Sequence, residues 1–140
     1  MPGREAAIDL VNRWFAFANA HDVEGIVSLL AEDATWQDSG VPLVRKGKEA
    51  NAKSLRYSFN AFPDWHFDYR IVLADEHTVA VEIDNTATWT GPYLRQEPSG
   101  KRMAFPEAGF FEIAGGKAQA YRGYLDMHEW ANQIGLRLPF

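Results

Sequence analysis

The chain has no cysteine, which removes disulfides, thiolate nucleophiles, zinc–cysteine sites and iron–sulfur clusters together. Long apolar runs are missing too. The longest, Ile26–Ala31, is far short of the roughly 20 residues a membrane helix needs, so no membrane partner is expected. Positive charge is in deficit: 14 Lys and Arg stand against 19 Asp and Glu, a net charge of −5. That balance provides no basic footprint for nucleic acid. No charged segment followed by an apolar one opens the sequence, so no signal peptide is expected and cytoplasmic residence is the default. Neither a G-x-S-x-G elbow nor a P-loop occurs; Arg45-Lys46-Gly47-Lys48 is too short for the latter and reads as a solvated loop before a helix. The four histidines do not cluster, and the pair His66 and Asp68 lacks a third ligand, so neither a metal nor another cofactor is expected.

What the chain has in quantity is rings. Its 140 residues fit a single domain, 1–140, with an ordinary 46% hydrophobic and 24% charged content. Five Trp, five Tyr and nine Phe raise the aromatic share to 14%. That is enough to fill a core and still line a cavity for a small apolar ligand.

Two zones follow one another. From Glu5, the positions Ile8, Val11, Phe15 and Ala18 recur at helical spacing, with Leu10, Trp14 and Phe17 as a second stripe. His21-Asp22 interrupts, and Asp22 can cap a helix burying Val23, Ile26, Val27 and Leu30. A short strand, Ala34–Gln37, precedes the Asp38-Ser39-Gly40 turn, and a third helix fits Lys48–Phe59 ahead of Phe62-Pro63. Beyond it the period becomes two. Strands are expected at Trp65–Ile71, Thr78–Trp89, Arg102–Ile113 and Lys117–Leu125, with a glycine turn at Ala114-Gly115-Gly116. A closing helix runs from Asp126 towards Ile134, with Asp126 and Glu129 at capping-box spacing and Gly135 as the stop. The order predicts an α+β domain, its helices on one face of a curved antiparallel sheet.

This order resembles the nuclear transport factor 2-like superfamily, in its SnoaL-like polyketide cyclase and ketosteroid isomerase branch. The resemblance is carried by Asn19-Ala20-His21-Asp22, Leu30-Ala31-Glu32-Asp33-Ala34-Thr35, Arg45-Lys46-Gly47-Lys48-Glu49, Phe62-Pro63-Asp64-Trp65, Thr90-Gly91-Pro92, Pro98-Ser99-Gly100-Lys101 and Tyr124-Leu125-Asp126. It implies a cone, a strongly bent antiparallel sheet wrapped over three N-terminal helices with a short C-terminal helix. It also implies an apolar pocket at the wide end and a homodimer through the convex sheet face. The fold by itself fixes no chemistry.

The resemblance places a general base at Asp38, where a carboxylate beside Trp36 would be a desolvated proton acceptor; Asp-Ser-Gly is equally turn chemistry. The isomerase-like oxyanion donors align with Trp14 and Gly109, and the cyclase-like acid with Gly123. The epoxide-hydrolase pair of the limonene type leaves only Asp84, at the pocket or on the solvent face. The glycines 109 and 123 are expected to enlarge the cavity. Glu107 shares the face of Gly109 unless Pro106 introduces a bulge, and is the expected acid–base partner of Asp38. Trp14, Phe17, Trp36, Tyr57 and Phe62 are the candidate pocket wall. Arg122 and Tyr124 are expected on the opposite face. The expected activity is acid–base chemistry without a cofactor, of aldol-cyclisation or isomerisation type, on an apolar carbonyl compound. The alternatives are a non-catalytic binder of a small hydrophobic ligand and an epoxide hydrolase.

Overall fold

A computed structural model describes residues 3–140. Its elements are α1 (Gly3–Asn19), α2 (Val23–Ser28), β1 (Leu30–Asp38), β2 (Arg45–Lys46), α3 (Lys48–Ala61), β3 (His66–Ala74), β4 (Thr78–Thr88), β5 (Arg102–Ala114), β6 (Lys117–Tyr124) and α4 (Met127–Ile134). The strands form one sheet in the order β2-β1-β6-β5-β4-β3. The class is α+β: a curled six-stranded sheet, helices from the N-terminal zone against it, and a short C-terminal helix. Neighbouring strands are antiparallel except β1 and β6, which run parallel.

Helix α1 buries Ala7, Leu10, Val11, Trp14, Phe15 and Ala18, the stripe its spacing predicts, and stacks Phe15 on Tyr69 of β3 at 3.9 Å. Asp22 caps α2 by accepting from the Gly25 amide at 2.9 Å. That helix ends before the apolar pattern does. Leu30 leaves it to pair with Ala118, and the Ala118 amide donates to the Leu29 carbonyl at 2.8 Å. Pairing with β6 therefore begins the first strand at Leu30, four residues earlier than propensity indicates.

Strand β4 pairs with β5 in unbroken register from Thr78↔Glu112 to Thr88↔Arg102, so Pro106 makes no bulge. The Ala104 amide points away from β4 to Gln133 of α4, and Pro106 has the same parity; its missing N–H falls on the edge that β6 leaves open beyond Ala108↔Tyr124. Gly115 and Gly116, at φ 58° and 74°, close the β5–β6 hairpin in the left-handed region that a two-residue turn requires. Asp126 caps α4 by accepting from the Glu129 amide at 3.0 Å, while the Glu129 carboxylate takes a hydrogen bond from Gln133 rather than reaching back.

Buried side chains divide into two clusters. One lies between α1 and the centre of the sheet; the other lies where α4 covers the ends of β4 and β5. No helix among the described residues is long and apolar enough to cross a membrane.

Candidate functional site

A cavity of about 440 Å³ draws its walls from both clusters, a volume suited to a small organic molecule. Three of its rings form a slab from α1 across β1 to β6: Trp14 stacks on Trp36 at 5.3 Å, and Trp36 on Tyr121 at 4.9 Å.

The polar end is built on five strands, β1, β2, β4, β5 and β6. Asp38 is the last residue of β1 and pairs with Gly123 of β6, which pairs in turn with Gly109 of β5. β2 places Arg45 opposite Trp36, and its Nη2 lies 3.1 Å from Asp38 Oδ2. Glu107 reaches the same place from β5. Its Oε2 accepts from the Tyr121 phenol, and its Oε1 accepts from Asn85 Nδ2 at 3.2 Å. Trp65 Nε1 donates to Asn85 Oδ1 at 3.0 Å. Because an indole can only donate, it turns the amide oxygen towards itself and the amide nitrogen towards Glu107. A β-carbon at Gly123 would lie 2.7 Å from Glu107 Oε2 and 2.8 Å from Asp38 Oδ1. A bare backbone at residue 123 is thus what lets the two carboxyl groups share one space.

Burial is the main force on Glu107, pushing its carboxyl up to about 7, and the charge of Asp38 adds to it. The hydrogen bonds from Tyr121 and Asn85 and the charge of Arg45 pull the other way. Burial, followed by the charge of Glu107, drives the Tyr121 phenol well above its ordinary value, so it stays a donor. Burial likewise raises Tyr93 on the cavity wall.

Asp38, Glu107, Trp14, Trp36 and Tyr57 all line this cavity. Five other expected positions do not. Phe17 is turned to α2, where its ring packs on Gly25. Phe62, the residue after α3, is fully buried behind the wall, with edge contacts to Trp65 and Tyr93 at 5.3 Å each. Asp84 is on the solvent side with Glu82, and both pair with Arg70, at 3.4 and 3.3 Å. Strict alternation on β4 buries Val79, Val81, Ile83 and Asn85 and leaves Asp84 exposed, so the epoxide-hydrolase reading has no acid from β4 in the cavity. Gly109 and Gly123 do not enlarge the cavity: the Tyr121 phenol fills the space beside the first, and the Asp38 and Glu107 carboxylates fill that beside the second. Arg122 and Tyr124 lie on the outer face, where Arg122 pairs with Glu112 at 3.1 Å.

Arg45, Asn85, Tyr121 and Trp65 belong to the site and were not among the expected residues. Arg45 corrects the solvated-loop reading, since its pairing with β1 turns it inward. Asn85 had a signal: it continues the buried parity of Val79, Val81 and Ile83 as the one polar member. Tyr121 shares parity with Gly123. Trp14 Nε1 is buried without a hydrogen-bond partner among the described residues. Among the described residues, no three His, Asp or Glu side chains gather as a metal site.

Comparison with known proteins agrees with this architecture. A candidate SnoaL-like polyketide cyclase from Jannaschia sp. CCS1 superposes with a TM-score of 0.87 at 18% identity, over 99% of this chain and 97% of that one. A candidate polyketide cyclase from Xanthomonas campestris pv. campestris gives 0.83 at 22% identity, over 94% and 98%. An LEH-like epoxide hydrolase from M. tuberculosis gives 0.72 at 21%, over 95% and 92%. Likeness at these identities concerns the fold. Among curated proteins, none matches the chain in sequence. The SnoaL-like domain matches residues 11–121, most of the sequence, and the chain belongs to that family.

Proposed function

We propose that the chain is an acid–base enzyme that needs no cofactor and acts on a small, largely apolar carbonyl compound, in an isomerisation or aldol-type cyclisation. The observation that carries this reading is the apposition of Asp38 and Glu107 across Gly123 at the end of an aromatic cavity. Below about pH 7, Glu107 holds its proton while Asp38 faces Arg45, so the polar end is close to neutral. Asp38 takes a proton from the carbon next to the carbonyl, and the electron pair of that C–H bond moves into the enolate. The Glu107 carboxyl donates a hydrogen bond to the enolate oxygen. Return of the proton to another carbon isomerises the compound; attack of the enolate on a second carbonyl closes a ring, and the proton goes to the new alkoxide.

Asn85 and the Tyr121 phenol hold the two oxygens of Glu107, Oε1 and Oε2 respectively, and Oε2 is the one beside Asp38. The Trp14 indole also lines the cavity, but its N–H is enclosed, which leaves Glu107 as the donor. The test is deuterium exchange at the α-carbon of ketones selected by thermal shift. Exchange is expected to vanish in Asp38→Asn and to fall above about pH 7 as Glu107 ionises. Exchange that persists in Asp38→Asn overturns the reading.

The Asp38–Arg45 ion pair also favours a second reading, a non-catalytic binder, because it engages one of the two oxygens of the base. In that case ligands shift the unfolding temperature and no ketone exchanges. Either way the chain is proposed to work as a homodimer through the outer sheet face, where Tyr124 is 51% exposed beside Phe110. Sedimentation velocity of Tyr124→Lys, expected to run as a monomer, tests this.

A further inference from the structure

We propose that the same cavity binds a hydrophobic ammonium ion, seated between Asp38 Oδ1 and Glu107 Oε2 with its apolar body against the tryptophan walls. The inference rests on taking these two carboxyls as the functional centre, though not on turnover.

Three observations support it. First, charge does not balance. Among the described residues lining the cavity, Asp38 and Glu107 are the acids and Arg45 is the one cation. Arg45 is committed to Asp38 Oδ2 at 3.1 Å, the oxygen other than the one that crowds residue 123. Once Glu107 ionises, one carboxylate is left without a counter-ion in a site of low polarity, where an unpaired charge is costly.

Second, the hydrogen-bonding capacity is left over on the correct side. The Tyr121 phenol and the Asn85 amide each take one site on Glu107. A carboxylate can accept about four hydrogen bonds, so Oε2 keeps capacity beside Asp38 Oδ1. Both oxygens lie within 2.8 Å of one point beside Gly123, close enough for one donor nitrogen on the cavity side to serve the pair.

Third, the remaining walls suit a cation with alkyl substituents. Trp14, Trp36, Trp65 and Trp130 all line the cavity, an apolar surface on which the alkyl substituents of an organic cation can pack. A bare metal ion is served less well, because among the described residues no third His, Asp or Glu ligand stands near.

The two ligand classes belong to two protonation states of one site. With Glu107 protonated the polar end is neutral and suits a carbonyl; with Glu107 ionised it carries an excess negative charge and suits an ammonium. The groups that face Glu107 are Asp38 from β1, Arg45 from β2 and Tyr121 from β6, together with the non-titrating Asn85 from β4. Burial and the Asp38 charge raise Glu107 to about 7, so the exchange between the two states falls near neutral pH.

The test uses an isosteric pair, N,N-dimethyladamantan-1-amine and 1-acetyladamantane, titrated into the full chain and followed by tryptophan fluorescence and calorimetry. At about pH 8.5 the amine is expected to bind at least about tenfold tighter than the ketone, a preference that shrinks to within about threefold at about pH 5.5. Glu107→Gln is expected to abolish the preference for the amine at the higher pH. Should that variant fail to fold, the pH dependence of the unaltered chain decides. Equal affinities at the higher pH, a preference that ignores pH, or no amine binding would overturn the proposal. Amine preference without ketone exchange sustains it and removes the catalytic reading; exchange without the preference does the reverse.

Discussion

The Tyr121 phenol fills the space beside Gly109 on the neighbouring strand, so a β-carbon at residue 109 would overlap the hydroxyl and the ring. Trp36 and Phe111 hold that ring at 4.9 and 4.8 Å, which blocks its retreat. Gly109→Ala is therefore expected to cost about 1–3 kcal/mol by overpacking, read from urea unfolding. Adding Tyr121→Leu should recover part of the loss, with a coupling of about 1 kcal/mol. Strict additivity of the two substitutions would show that the phenol moves aside freely.

Gly123 presents a milder case, because its two closest neighbours are the ends of flexible acids and the Tyr121 ring stands 3.0 Å away. Gly123→Ala should cost less than Gly109→Ala, about 1 kcal/mol. Binding of the adamantyl probes should nevertheless fall at least about tenfold, since the new methyl forces Asp38 and Glu107 apart. A folded variant that binds as before would separate the carboxyl pair from ligand recognition.

Most of the fold was legible because burial on one face writes its period into the sequence. The stripe of α1, the alternation of β4 and the turn at Gly115-Gly116 depend on neighbours a few residues away. The start of β1 was not legible, because Leu30 becomes a strand residue only by pairing with Ala118. The site divides along the same line. Asp38, Glu107, Trp14 and Trp36 could be placed in the cavity from parity and resemblance. The meaning of the two glycines could not, since what fills the space beside them comes from Tyr121, Asp38 and Glu107 on other strands or other positions. Arg45 was misread because its two-residue strand is defined by its partner β1, not by its own composition.

Glu107 should leave a mark on stability. Its carboxyl is raised from an ordinary 4.5 to about 7, so the folded chain binds a proton that the unfolded chain releases between those values. The resulting stabilisation is complete below about pH 4.5 and is lost as pH rises through about 7. Its full size is roughly 3 kcal/mol. Urea unfolding between those limits should show this decline after correction for the other carboxyls by comparison with Glu107→Gln, in which it should be absent. Parallel profiles for the two proteins would place Glu107 in contact with bulk water.

Two indoles on the cavity wall are expected to behave differently, and the contrast tests how Glu107 is oriented. Trp65 holds the Asn85 amide at 3.0 Å, whereas Trp14 Nε1 has no partner among the described residues. In Trp65→Phe the buried Asn85 carbonyl loses its donor, at a cost of about 1–3 kcal/mol. The amide is then free to flip and to present oxygen, rather than N–H, to Glu107. Loss of that donor favours the protonated carboxyl, so the Glu107 titration, followed by carbon NMR of its carboxyl, should move further up. Trp14→Phe removes an N–H that has no acceptor among those residues and should leave the titration where it is. If both variants titrate like the parent chain, the Trp65–Asn85 link packs the wall without setting the state of the acid.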